Sequence, residues 1–116
     1  MRIELPFPPA SLSPNRKHGR HWGATHAEKS SYRETCWALA LQAARGYVAP
    51  AGDIALRLTF VQPDKRRRDR DNLLAASKAA LDGVAAALKV DDSRFEPVTV
   101  SRVFGAKPGA LIVEVA

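Results

Sequence analysis

Between residues 65 and 74 the chain reads KRRRDRDNLL, which sets Asp69 and Asp71 among five basic side chains just before a leucine-containing run. A second acidic pair, Asp91–Asp92, follows in the segment VDDSRF. If an extended conformation persists through the first pair, Asp69 and Asp71 project from one side of the chain. Gathered carboxylates repel, and each raises the other's pKa unless a cation intervenes. Mg²⁺ suits such a set, with Mn²⁺ as a substitute, because it takes hard oxygen ligands and is held by one or two carboxylates plus substrate phosphates. An ion held there activates water against a phosphodiester and stabilises the charge growing on its oxygens. Arg66, Arg67 and Arg68 would grip the flanking phosphates, which a guanidinium can do bidentately.

A plainer reading stands beside this one. Asp71 is also suited to capping a helix, Asp69 to pairing with Arg67 or Arg70, and Asp91-Asp92-Ser93 to a polar turn. Charge runs are commonly solvated faces. Lys78 lies seven residues beyond Asp71, nearly two helical turns, so on an unbroken helix both share a side. There it would steady a phosphate or the leaving oxygen; equally, it could pair with Asp82 at i+4.

The elements that must position these groups follow from the hydrophobic pattern. Ile3, Leu5 and Phe7 alternate with Arg2, Glu4 and Pro6, which predicts a half-buried strand ending near Pro6. Thr25-His26-Ala27-Glu28 has capping-box form and predicts a helix start. Tyr32, Cys36, Leu39, Ala40 and Ala43 make its buried stripe, and Gly46 its C-cap. Ile54, Leu56, Leu58 and Phe60 predict a second strand by strict alternation. A second helix is expected from about Asn72 to Lys89, with Leu73, Ser77, Leu81, Val84 and Leu88 facing the core. Val98, Val100, Arg102 and Phe104 predict a third strand, and Leu111, Val113 and Val115 a fourth, with Gly105 to Gly109 turning a hairpin between them. The order β-α-β-α-β-β implies an α/β (α+β) fold: a small mixed four-stranded sheet with two helices on one face.

The totals bound the class of protein. A chain of 116 residues, 46% hydrophobic, supports one domain over residues 1–116 with a packed core. Eighteen Lys and Arg against twelve Asp and Glu give a net charge of +6, and the pI is about 10.0. That balance favours a polyanionic partner, with nucleic acid first. Cys36 is the only cysteine, so no intramolecular disulfide is possible and a reducing compartment is expected. No stretch reaches the ~20 apolar residues of a membrane helix and no secretory signal opens the chain, so the expected location is cytoplasmic.

The segment from Pro8 to His26 lacks an apolar period and is rich in turn residues. Within it, Arg16, Lys17 and Arg20 are candidate DNA contacts, with Trp22 available for base stacking. Its competing reading is a solvated loop with Trp22 folded onto the core. His18, His21, His26 and Cys36 fit no standard structural zinc spacing. Cys36 is expected as a buried thiol on the helix stripe.

The pattern DRDNLL…K…ALDGV…VDD resembles the RusA family of Holliday junction resolvases. Family members read R-x-D-x-D-N-L or R-R-D-x-D-N-L after a strand, then a helix ending in Asp-Asp. They also open with a short strand and a Pro-Pro segment, here Phe7-Pro8-Pro9, followed by an Asn-containing basic loop. The resemblance spans nearly the whole chain, with Arg67 to Asp92 its distinctive part. It implies a homodimeric, Mg²⁺-dependent endodeoxyribonuclease, of phage or prophage type, that nicks four-way DNA junctions in two strands during recombination and repair. By motif position, Asp69 and Asp71 match the paired metal-binding aspartates, and Asp92 the third catalytic carboxylate, with Asp91 its neighbour. Arg68 and Asn72 match flanking positions. The chain departs from the family at Ala75, where a functional lysine often stands; Lys78, one turn further, is the candidate replacement. A junction's approximate two-fold symmetry suits a C2 dimer with two equivalent sites. Rivals from other classes are a non-catalytic basic nucleic-acid-binding protein, and a nuclease acting on RNA or other branched DNA.

Overall fold

A computed structural model describes residues 1–13 and 22–116, with the side chains of residues 22–24 left aside. In chain order the elements are β1 (Arg2–Leu5), α1 (Trp22–Ala43), β2 (Ile54–Gln62), α2 (Arg70–Ala76), α3 (Lys78–Leu88), β3 (Phe95–Phe104) and β4 (Ala110–Val115). Short 3-10 turns at Ala10–Leu12 and Asp92–Arg94 join them. The four strands form one mixed sheet in the order β1-β4-β2-β3, an α+β arrangement as the pattern implied.

Alternation decides which face of the sheet is covered. Ile3 and Leu5 of β1, Ile54, Leu56, Leu58 and Phe60 of β2, and Leu111, Val113 and Val115 of β4 are buried. Their outward neighbours Arg2, Glu4, Arg57 and Glu114 are exposed. Tyr32, Cys36 and Ala40 of α1 join the same core, with Leu73 and Ala76 of α2 and Val84 and Leu88 of α3. Each fully buried large aliphatic or phenyl group contributes about 1.5–3 kcal/mol of transfer free energy. The close seating of α3 on α1 depends on Gly83. A Cβ there would lie 2.6 Å from the Arg33 carbonyl oxygen and 2.9 Å from the Trp37 amide nitrogen.

Three expectations are corrected. First, α1 begins at Trp22, so Thr25 lies inside the helix, and the Glu28 carboxylate accepts a hydrogen bond from the Ser11 hydroxyl across the preceding turn. The box-like spacing is therefore not the helix start. Its stripe ends at Ala44, half-buried, while Ala43 is exposed.

Second, the expected single helix is two. Ser77, fully buried, has φ −87° and ψ −1°, and its hydroxyl donates to the Leu74 carbonyl at 2.8 Å. Its amide reaches both the Leu73 and Leu74 carbonyls. A side chain bonding back into its own helix competes with the regular ladder, and the helix breaks there.

Third, residues 105–109 do not close a hairpin between neighbours. β3 pairs with β2 in parallel and β4 pairs with β2 antiparallel, so β2 lies between them. The connection crosses the end of β2 at close range. The Gly105 amide donates to the Gln62 carbonyl at 2.8 Å, and a Cβ on Gly109 would come within 2.7 Å of the Val61 oxygen. Gly109 also has φ +76°, a region that favours glycine.

Cys36 is buried, as expected from its place on the stripe. Burial pushes its thiol up to about 11, which favours the protonated form of a packed core side chain. Neighbouring Tyr32 donates its hydroxyl to the Pro6 carbonyl at 2.6 Å, tying the end of β1 to α1.

Candidate functional site

β2 delivers the chain to the site and Pro63, lacking an N–H, ends the strand. The turn that follows is organised by Asp64. Its carboxylate accepts from the Arg66 amide at 2.9 Å, and from Arg68 through Nη1 at 2.8 Å and Nη2 at 3.3 Å. The Arg66 guanidinium adds a longer contact at 3.6 Å. The Arg68 hydrogen bonds, reinforced by the Arg66 amide, pull the Asp64 carboxyl down to about 2. Arg68 also lies over the Phe7 ring, 5.4 Å from its centroid. Its guanidinium therefore ties the turn to Phe7, just beyond β1. Arg66 and Arg67 remain exposed.

Next, the chain enters α2. Asp69 is the N-cap residue, with φ −76° and ψ 141°, yet its side chain makes no capping hydrogen bond. Asp71 sits in the first helical turn. The extended conformation thus stops at Asp69, and the two carboxylates converge by helix entry rather than by strand alternation. Both line an open depression of about 380 Å³ together with Arg67, Arg70, Asn72 and Arg102. A carboxylate left without a capping bond retains its lone pairs for a cation, and Asp69, Asp71 and the Asn72 amide oxygen supply hard donors of the kind Mg²⁺ takes. The arginines around them offset the negative charge and supply phosphate donors. A larger groove of about 700 Å³ adjoins, running between Pro8, Pro9, Arg67, Asp69 and Asn72.

The second acidic pair is elsewhere. α2 and α3 carry the chain back along the sheet, so Asp91 and Asp92 precede β3, whose first residue, Phe95, pairs with Ile54 at the start of β2. Asp69 follows the other end of β2. A rise of ~3.3 Å per strand residue and ~1.5 Å per helical residue puts the two pairs on the order of 25 Å apart. Among the described residues, no three His, Cys, Asp or Glu side chains gather into a possible metal cluster. The helices do bring Asp92 to strand ends, but to the opposite ones. Asp91 caps the 3-10 turn by accepting from the Ser93 amide at 2.8 Å, which lowers its pKa. Beside it, the Arg94 guanidinium is held by the Gly52 carbonyl at 2.9 Å and by the Pro50 carbonyl.

Lys78 opens α3 just beyond the break at Ser77, exposed and outside the lining of the acidic depression. The segment between Asp71 and Lys78 is divided at Ser77, which keeps right-handed helical angles and an amide bond to the Leu73 carbonyl. Arg16, Lys17 and Arg20, with His18 and His21, lie outside the described residues, as does the Trp22 side chain.

Two contributors went unassigned in the sequence. Asp64 has no part in the sequence reading, though an Asp two residues before a backbone amide is a turn signal. Arg102 enters the sequence reading only as part of the third strand, with Val98, Val100 and Phe104. Its guanidinium donates to the Arg68 carbonyl and lines the acidic depression. A charge standing where the alternation calls for an apolar residue was the signal.

No family model matches the chain. It is 35% identical over 95 residues to an uncharacterised protein of Xylella fastidiosa, covering 80% of this chain and 61% of that protein's length. It is 34% identical over 112 residues to the crossover junction endodeoxyribonuclease RusA of Escherichia coli strain K12, and 33% identical over 111 residues to that of Enterobacteria phage 82. Each of these two alignments covers 94% of this chain and 88% of the relative. Identity at this level across almost the full length, with the Asp69-x-Asp71-Asn72 segment opening a helix at a strand end, shows that the chain belongs to the RusA family of crossover junction endodeoxyribonucleases.

Proposed function

We propose that residues 1–116 form one endonuclease domain that resolves four-way DNA junctions by paired nicks, in recombination and repair, with Mg²⁺ (or Mn²⁺) as cofactor. The observation that carries this reading is the depression at the end of β2, where Asp69 and Asp71 converge with Arg67, Arg70 and Arg102. When bound there, a divalent ion would supply Lewis-acid stabilisation of the phosphate and an activated water. Asp69 and Asp71 would hold it, Arg67, Arg70 and Arg102 would grip the scissile and flanking phosphates, and Arg68 with Asp64 would keep the turn in place. Binding alone needs no carboxylates beside phosphate, which disfavours a purely DNA-binding role. The net charge of +6 accords with a DNA partner, and no described helix is long and apolar enough to cross a membrane. The working location is the cytoplasm of a bacterial or phage-infected cell.

The separation of the two acidic pairs bears on oligomeric state. If Asp92 is the third carboxylate of the site, it must come from a second copy of the chain, because its own Asp69 and Asp71 lie at the far end of the sheet. A C2 homodimer would then complete two equivalent sites, one for each nick. Asp91, already satisfied by Ser93, fits the third position less well than Asp92. Lys78 remains a candidate for steadying phosphate from outside the depression.

The test is incubation with labelled four-way junction, duplex and single strand, with Mg²⁺ or EDTA. Paired nicks confined to the junction and abolished by EDTA are expected. Binding without cutting in Mg²⁺ would favour the non-catalytic reading, and equal cutting of RNA or plain duplex would redirect the substrate.

A further inference from the structure

Beside the acidic depression lies a second one, of about 300 Å³, and the two share Arg67 and Arg102. Its remaining wall includes Lys65, Val103 and Phe104. Among the described residues β3 is an edge strand, paired with β2 alone, and Phe104 is its last residue. Phe104 is 62% exposed, and Val103 beside it 45%. A single exposed apolar side chain is ordinary. A phenyl ring ringed by Lys65, Arg67 and Arg102 next to paired carboxylates is a specific combination, because cations bind the phosphates of a strand while an aromatic face accepts its bases.

The backbone just after the ring is held against the end of β2. Immediately after it, the Gly105 amide is bonded to the Gln62 carbonyl, and a Cβ on Gly105 would fall 2.5 Å from a Val61 methyl. Trp37, the other exposed large aromatic among the described residues, sits instead with one cation, Arg33, against two carboxylates, Glu34 and Asp82.

We propose that Phe104 is a stacking platform for an unpaired base close to the scissile phosphate, and that it contributes to the preference for branched over continuous duplex DNA. A base inside a duplex is already stacked on both faces and cannot use the ring; a base splayed at a branch point can. A second copy of this chain is the disfavoured occupant of the patch. An isologous contact there would bring Lys65, Arg67 and Arg102 against their own copies. The proposal rests on the junction-nuclease reading but is tested by binding, separately from cleavage.

The experiment substitutes 5-iodouracil at successive positions through the centre of a four-way junction and along a matched duplex. The full chain is bound without divalent ion, irradiated and mapped by mass spectrometry. A cross-link to Phe104 from positions at the branch point, absent from the duplex, is expected. Phe104→Ala should lose about tenfold in junction affinity relative to duplex, the order of one lost base–aromatic stack, while Phe104→Trp keeps the preference. No cross-link to Phe104 at any position, or an unchanged preference in Phe104→Ala, overturns the platform. So does a shift of Phe104→Ala to monomer on a sizing column, which would assign the patch to contact between copies. Wild-type protein that cross-links through Phe104 yet does not cut in Mg²⁺ supports the platform and overturns the nuclease reading instead.

Discussion

The two acidic pairs that flank the helical segment look equivalent on paper and are not equivalent in space. Asp69 and Asp71 stand where β2 gives way to α2, with no capping bond on Asp69 and three arginines around the shared depression. Asp91 and Asp92 stand where α3 gives way to β3, in a turn that satisfies Asp91 through Ser93 and anchors Arg94 on two carbonyls. The first pair faces an open depression among arginines, whereas the second is half committed to closing a turn. A βαβ crossover explains the separation, since its helix must return the chain to the starting edge before a parallel strand can begin. Acidic groups placed at the two ends of such a crossover helix land at opposite ends of the sheet.

The largest expected effect breaks the first pair. Asp71→Asn should reduce junction cleavage by more than about 100-fold, exceeding the usual cost of altering a mere outer-shell partner of a metal, while binding is preserved or tightened. Gel-based cleavage and electrophoretic shift on the same junction would measure both, and lost binding with unchanged cutting would remove the metal role. Next in size is a mixing experiment between Asp71→Asn and Asp92→Asn chains. If Asp92 acts across a dimer, each mixed dimer regains one intact site, and random mixing restores about a quarter of wild-type sites. If Asp92 acts within its own chain, or not at all, mixing restores nothing beyond the parents. Analytical sizing of wild type should show about twice the 12.6 kDa chain mass.

Gly83→Ala tests the rod that holds the two ends apart. Its Cβ would meet backbone atoms of Arg33 and Trp37 that have no rotamer to yield. A loss of about 1–3 kcal/mol in urea unfolding is expected. The smallest effect belongs to Asp64→Asn. Because Arg68 and Arg66 hold the Asp64 carboxyl down near 2, below the ~3.9 of an unfolded aspartate, its contribution is present above that ordinary range. It fades as pH falls toward 2. Thermal midpoints of wild type and variant should differ above about pH 4 and converge near pH 2, and a constant gap would show that the ion pair is not its source.

Much of this molecule was legible in one dimension. Alternation located all four strands, and the three- and four-residue recurrence of Tyr32, Cys36 and Ala40, and of Leu73, Ser77, Val84 and Leu88, identified the buried helix faces. These signals are local, set by the two- and 3.6-residue periods of the backbone. Asp69 and Asp71 likewise stood out as site candidates by residue type and spacing. What the chain alone left undecided were relations between distant segments. Strand order placed β2 between β3 and β4 and turned an expected hairpin into a crossing over the end of β2. Ser77, whose buried hydroxyl bonds back to Leu74, divides a helix that periodicity reads as continuous. Arg68 proved to be held by Asp64 and Phe7, and Arg102 came to the acidic depression from a strand more than thirty residues further along. Such outcomes depend on which surfaces bury one another, because a register or a strand order is chosen by long-range contacts and local sequence pattern carries no record of them.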